Sequence, residues 1–241
     1  WTEATRTDPL GDYLDDVREY AAGFGAPLDG LRIAVDCGNG MSAPATPTVL
    51  RELGADVVTL NGNVDGHFPG RGSKPTPETL ADLRAFVADA NEGIAEPGRP
   101  AGAGTGGDEG ESDAETEGFA FGIGHDGDAD RIVIVDADGE VVHEDTVLAV
   151  LAERYTRESD AADPVVVTTP NASGRIDERV REAGGRVERV RLGALHEGIA
   201  AVREAADGTG AGADDTRVVF AAEPWKHIHV AFGGWIDGVT S

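Results

Sequence analysis

The 241-residue chain is 40% hydrophobic and carries 45 acidic against 20 basic side chains, a formal charge of −25. That length accommodates one large or two modest domains; no apolar run nears the ~18 residues of a membrane span, and no signal peptide opens the chain. The charge repels nucleic-acid phosphates and anionic membranes, which argues against both as partners. The acids are spread along the chain, which favours a carboxylate surface suited to high salt, as in a halophile's cytoplasmic protein, over an acidic interaction tail. The single cysteine, Cys37, excludes an internal disulfide framework and fits a reducing cytosol as a small buried side chain. The chain opens at Trp1 and not at Met, so a piece of a longer protein is expected.

In chain order, hydrophobic periodicity predicts a weakly amphipathic helix over 12–22, a strand over 31–35 stopped by Asp36-Cys-Gly-Asn-Gly40, a helix over 44–53 and a strand over 55–60. A Gly- and Pro-rich loop follows at 65–77, then a helix over 78–90 with Leu80, Leu83, Phe86 and Val87 on one face. Residues 91–118 have almost nothing to bury and read as a disordered insertion, with 93–117 expected to be mobile. A strand resumes at 119–124, and 131–136 with 140–143 read as a hairpin around Ala137-Asp-Gly139. A helix at 145–157 precedes a second series: strand 164–169, helix 173–183, strand 186–191, helix 194–206, an acidic loop and strand 217–221. Alternating strands and helices predict an α/β fold of two consecutive α/β units, with mixed, largely parallel sheets flanked by helices. The units are drawn at 10–158, containing the insertion, and 159–241.

One motif carries chemistry. Asp126, Asp128 and Asp130 alternate with Gly127 and Ala129 between two strands. Three carboxylates this close repel one another unless a cation lies among them, and hard oxygen donors suit magnesium or calcium. Side chains two apart in an extended segment face the same way, and Gly127 allows the backbone to turn so that the three converge. The plain alternative is a solvated acidic turn. A calcium EF-hand would need Gly at the sixth position and Glu at the twelfth, where Arg131 and Ala137 stand. A haloacid-dehalogenase phosphatase would need Thr or Val where Asp130 stands. Arg131, directly after the acids, suits an anionic group beside the metal, because a guanidinium can grip a phosphate while a cation neutralises its other oxygens.

Gly124-His-Asp-Gly-Asp-Ala-Asp-Arg131 resembles the magnesium loop of the α-D-phosphohexomutases, the family of phosphomannomutases and phosphoglucomutases. Its context is similar too: Val35-Asp36-Cys-Gly-Asn-Gly40 resembles the first strand and turn of that family's second domain. Asp65-Gly-His-Phe-Pro69 with Pro75-Thr-Pro77 resembles its Phe- and Pro-bearing loop, and Asp136-Ala-Asp-Gly139 the hairpin turn after the metal loop. The resemblance covers the family's two middle domains, from about residue 12 to 241, interrupted at 91–118. It implies that Asp126, Asp128 and Asp130 bind Mg2+, that a phosphoserine of the first domain supplies a further ligand, and that Arg131 is catalytic beside that phosphate. It leaves His125 a structural role.

The family's sugar loop, Gly-Glu-x-Ser-Gly-His, aligns with Ala222-Glu223-Pro-Trp225-Lys226-His227. Glu223 and His227 match, while Trp225 replaces the serine and Lys226 the glycine. The resemblance implies substrate binding by Glu223, Trp225 and His227; a Trp can stack on a sugar face or simply pack. The Gly193 loop departs further from the family pattern and carries no implied role. No serine here is followed by His-Asn, the family's catalytic loop, and the fourth domain's arginine-rich loop has no match. The chain is therefore expected to lack the first and fourth domains and, alone, to be inactive. The parent enzyme is expected to move a phosphoryl group between O1 and O6 of glucose or mannose phosphate, through a hexose 1,6-bisphosphate. The other readings are a phosphoglucosamine mutase, or a non-catalytic acidic metal-binding module.

Overall fold

The structure, a computed structural model, describes residues 9–23, 28–95, 118–208, 216–224, 228–230 and 234–236. Of the expected insertion, residues 96–117 and their expected mobility lie outside the described residues, as do Trp225 and His227; residues 91–95, read as part of that disordered stretch, instead end a helix over Ala81–Ala95. The chain divides into two compact units, Trp1–Gly127 with Ile134–Val141, and Asp128–Val133 with Val142–Ser241.

The first unit contains α1 (Leu10–Ala22), β1 (Arg32–Asp36), α2 (Thr46–Glu52), β2 (Asp56–Leu60), α3 (Ala81–Ala95) and β3 (Phe121–His125). β4 (Ile132–Val135) completes a four-stranded sheet in the order β2-β1-β3-β4. β1 lies at the centre, parallel to β2 and to β3, with Val35 opposite Thr59 on one side and Ile123 on the other. Ile33, Ala34 and Val35 are wholly buried, as a strand covered on both faces requires.

Gly122 and Gly124 share one face of β3 and let α3 approach it. A Cβ on Gly124 would stand 2.6 Å from Leu80 Cδ2, and one on Gly122 would stand 3.2 Å from Leu83 Cδ1. Leu80, Leu83 and Val87 fill that contact completely buried. Asn91, in the last turns of α3, exchanges hydrogen bonds with the backbone of Phe119 just before β3.

The expected hairpin is only half formed. β4 meets the returning chain through a single antiparallel bridge, Val135 to Val141, and 140–143 makes no strand. The turn is instead tied by the Asp136 carboxylate, which accepts from the Asp138 and Glu140 amides. These side-chain bonds offer the backbone an alternative to a ladder.

The second unit contains α4 (Glu144–Glu158), β5 (Asp163–Thr168), α5 (Arg175–Glu182), β6 (Arg186–Arg189), α6 (Leu195–Gly208), β7 (Thr216–Ala222), β8 (Ile228–Val230) and β9 (Gly234–Ile236). Its sheet runs β6-β5-β7-β8-β9, with β5 parallel to both neighbours and the last two pairings antiparallel. Val165, Val167, Leu195, Ile199, Val218 and Ala221 form its core. The sequence reading groups α4 with the first unit; the helix packs on α5, β5 and β7, with Tyr155 stacked on Phe220 at 5.5 Å. β8 and β9 were not anticipated: each is three residues long, too short for alternation to register. The sheets are mostly parallel and flanked by helices, the expected α/β architecture.

Candidate metal centre

β3 delivers the acidic loop. Its last residue, His125, is completely buried, and its Nε2 lies 3.0 Å from the Thr46 hydroxyl of α2. That contact suits the structural role expected of it. The chain then bends through residues 127–129. One carboxylate oxygen each from Asp126, Asp128 and Asp130 can be chosen so that all lie within 4.8 Å of one another. Asp126 is buried at 2% exposure, and the other two face solvent.

The convergence does not arise as the spacing suggested. Ala129, with φ of 63°, is the residue in the left-handed region, and its side chain is buried. A left-handed residue costs a non-glycine about 1–2 kcal/mol. It lies within the bend over 127–129, where the sequence reading places the turn at Gly127. Gly127 is needed for space: a Cβ there would meet the Phe68 ring at 2.9 Å and Ser73 Cβ at 3.2 Å. Phe68, from the Asp65–Pro69 segment, is itself left-handed at φ 51°.

The loop is seated by the turn that ends β1. Met41 N–H donates to the Gly127 carbonyl at 3.0 Å, and a Cβ on Gly40 would strike that same oxygen at 2.7 Å. Asp36, 1% exposed, accepts from Gly38 N–H, from Asn61 Nδ2 and from Arg71 Nε. Asn39 Nδ2 donates to Asn63, and Asn39 Oδ1 accepts the Gly70 amide. Sequence reasoning singled out Asp36–Gly40 only as a likeness and passed over Arg71. The available signal was an acid closing a buried strand, with an arginine later in a Gly-rich loop.

Arg131 stands next to the acids, its Nε 3.2 Å from Asp130 Oδ1. Glu223 is buried at the end of β7, and its carboxylate accepts the amide of Gly193, a glycine at φ 78°. The Gly193 loop, which the sequence left without a role, is thus joined to Glu223. The Thr168 hydroxyl fastens the same strand end through the Ala222 carbonyl at 2.8 Å.

The sequence profile described as phosphoglucomutase/phosphomannomutase, α/β/α domain II, matches residues 11–139, more than half of the chain and all three acids. The chain belongs to the α-D-phosphohexomutase family. It is 36% identical over 228 residues to a phosphopentomutase of Thermococcus kodakarensis, covering 95% of this chain and 40% of that protein. It is 43% identical over 206 residues to a probable phosphoglucosamine mutase of Methanopyrus kandleri, covering 82% of this chain and 38% of that protein. A phosphoglucomutase/phosphomannomutase family protein of Burkholderia thailandensis shares the fold with a TM-score of 0.68 at 22% identity, over 98% of this chain and 42% of that one. The chain thus spans about 40% of the length of these phosphohexomutase-family relatives and corresponds to the family's middle domains.

A divalent cation fits the donor set. Hard carboxylate oxygens from one short loop, one buried and two open to solvent, suit magnesium, which binds through a few carboxylates and keeps further positions for water or phosphate. Among the described residues no helix is long and apolar enough to cross a membrane.

Proposed function

We propose that this chain supplies the metal loop and part of the sugar site of a sugar-phosphate mutase that transfers a phosphoryl group within a hexose phosphate, between O1 and O6. The observation that carries this is the convergence of Asp126, Asp128 and Asp130 inside the matched family domain. Bound Mg2+ would supply Lewis-acid charge to the oxygens of the transferring phosphoryl group. Asp126 holds its carboxylate from the buried side of the loop; Asp128 and Asp130 offer theirs from the open side. Arg131 adds a guanidinium that pairs with an anionic oxygen as charge builds. Its Nε now rests 3.2 Å from Asp130, a contact that an incoming phosphate would compete for.

The phosphoseryl group that the family resemblance implies would come from outside these 241 residues. It would give its phosphoryl group to the free hydroxyl of the hexose phosphate, passing through a bisphosphate, and the serine would then recover a phosphoryl group from the other position. Glu223, whose carboxylate accepts the Gly193 amide, is the acceptor proposed for sugar hydroxyls, as the family resemblance implies. Trp225 and His227 follow it in sequence and complete the proposed sugar loop. The sugar is glucose or mannose in this reading. A second reading, glucosamine phosphate, is favoured by the 43% identical relative, and a pentose phosphate by the 36% identical one.

The deciding experiment assays the whole protein containing this chain on the 1-phosphates of glucose, mannose, glucosamine and ribose with Mg2+. One of the first two is expected to turn over fastest. Asp128→Asn should lower that turnover by at least a hundredfold while leaving the thermal midpoint within a few degrees. Unchanged turnover at saturating Mg2+ would sink the metal assignment, and turnover by the 241-residue chain alone would sink its reading as an inactive segment.

A further inference from the structure

We infer that Arg71 is a positioning residue for the metal loop: held by Asp36, its guanidinium grips the peptide between His125 and Asp126 and so sets where the Asp126 carboxylate stands. The inference rests on the metal reading of Asp126, Asp128 and Asp130 given above.

The geometry is specific. Arg71 Nε donates to Asp36 Oδ2 at 2.7 Å, and the pair is almost sealed, with side-chain exposures of 5% and 1%. One terminal nitrogen of the same guanidinium donates to the His125 carbonyl at 2.6 Å and to the Asp36 carbonyl at 3.2 Å; the other donates to Gly72 at 3.1 Å. The His125 carbonyl belongs to the peptide that ends in the Asp126 nitrogen. One peptide beyond Asp126, the Gly127 carbonyl is held by the Met41 amide. The backbone is therefore fastened on both sides of the one buried acid, while Asp128 and Asp130 have the open side of the loop.

No other side chain could make this bridge. A guanidinium presents several donors in a fixed plane, so one group can satisfy a carboxylate and three carbonyls together; an ammonium of similar charge is a point donor on a flexible stem. The room for it is made by Gly38, where a Cβ would stand 2.7 Å from the guanidinium carbon. An ion pair so buried is weak evidence for stability, since desolvation offsets attraction. Partners that orient metal ligands are a better-attested use of such groups, and their loss typically weakens metal binding by about 10–100-fold.

The test titrates the 241-residue chain with Mn2+ alone, reading the free ion by electron paramagnetic resonance, and follows thermal unfolding of each variant in parallel. Arg71→Lys keeps the charge and loses the bridge; Val87→Ala removes core volume from α3 at a distance from the loop. The Lys variant is expected to bind Mn2+ at least tenfold more weakly than wild type, while Val87→Ala stays within twofold although it too is destabilised. A folded Arg71→Lys chain that binds as wild type does overturns the inference. Asp128→Asn separates the two readings: if wild type takes no Mn2+, or Asp128→Asn binds it equally well, the metal reading falls and the inference falls with it. Should Arg71→Lys not fold, the Arg71 Nε–H resonance of the wild-type chain decides. It is expected to shift with Mg2+ along the saturation curve of the Gly127 amide, and a resonance unmoved at saturation overturns the inference.

Discussion

Asp36, Cys37 and Gly38 occupy consecutive positions where β1 ends, and each is constrained differently. Asp36 is a buried acceptor, Gly38 leaves space for a guanidinium, and Cys37 is sealed between them with no exposure. Burial raises the Cys37 thiol from 9.0 to about 11; the Ser42 hydroxyl opposes this, and the Asp36 charge adds to it. The folded pKa lies above the unfolded one. Its stability contribution is therefore fully present below pH 9 and is lost as pH rises towards 11. A two-unit separation is worth at most about 2–3 kcal/mol. Chemical denaturation at successive pH values should show wild type losing more stability than Cys37→Ala between pH 9 and 11; equal slopes would refute this. At Gly127 the constraint is steric. Gly127→Ala should push on the Phe68 ring, cost about 1 kcal/mol in a urea melt, and weaken Mn2+ binding by several fold, because the loop must shift to admit the methyl group.

Among the elements, β3 and α3 are closely fitted. Alternate glycines on β3 bring Leu80 and Leu83 of the α3 segment directly against the sheet. Leu83→Ala should cost about 2–5 kcal/mol in a urea melt, since the site is completely buried. Gly124→Ala should cost about 1–3 kcal/mol by overpacking against Leu80. A loss under about 1 kcal/mol in Leu83→Ala would mean that the helix repacks freely. At this scale sequence periodicity served well for β1, β2, β3, α3 and α4, where apolar runs or stripes are long. It did less well at 140–143, where the Asp136 carboxylate took over the turn, and at β8 and β9, where three residues carry no period. It also could not assign α4: a stripe shows that a helix buries one face, and only contact with α5, β5 and β7 shows against what.

For the molecule as a whole, charge is the dominant bulk property. A formal −25 on 241 residues sets surface carboxylates against one another. Added salt shortens the screening length from about 10 Å at 0.1 M to about 3 Å at 1 M. Relieving 1–2 kcal/mol of repulsion corresponds to a rise of roughly 2–8 °C in the thermal midpoint for a chain of this size. Thermal melts in 0.1 M and 1 M NaCl are expected to show that rise, and a midpoint that stays level or falls would count against a salt-adapted surface.

The α/β order, the family and the three-acid loop whose carboxylates converge were legible from sequence alone, because each is written in residues close together: an apolar run, a Gly-bounded turn, or Asp at every second position. The left-handed turn at Ala129, the bridge from Asp36 through Arg71 to the His125 carbonyl, and the tie between Glu223 and Gly193 were decided only in three dimensions. Arg71 lies 35 residues from Asp36 and 54 from His125. No local spacing joins them. They meet because β1 and β3 are parallel neighbours that end together, and the loop carrying Arg71 closes over both ends.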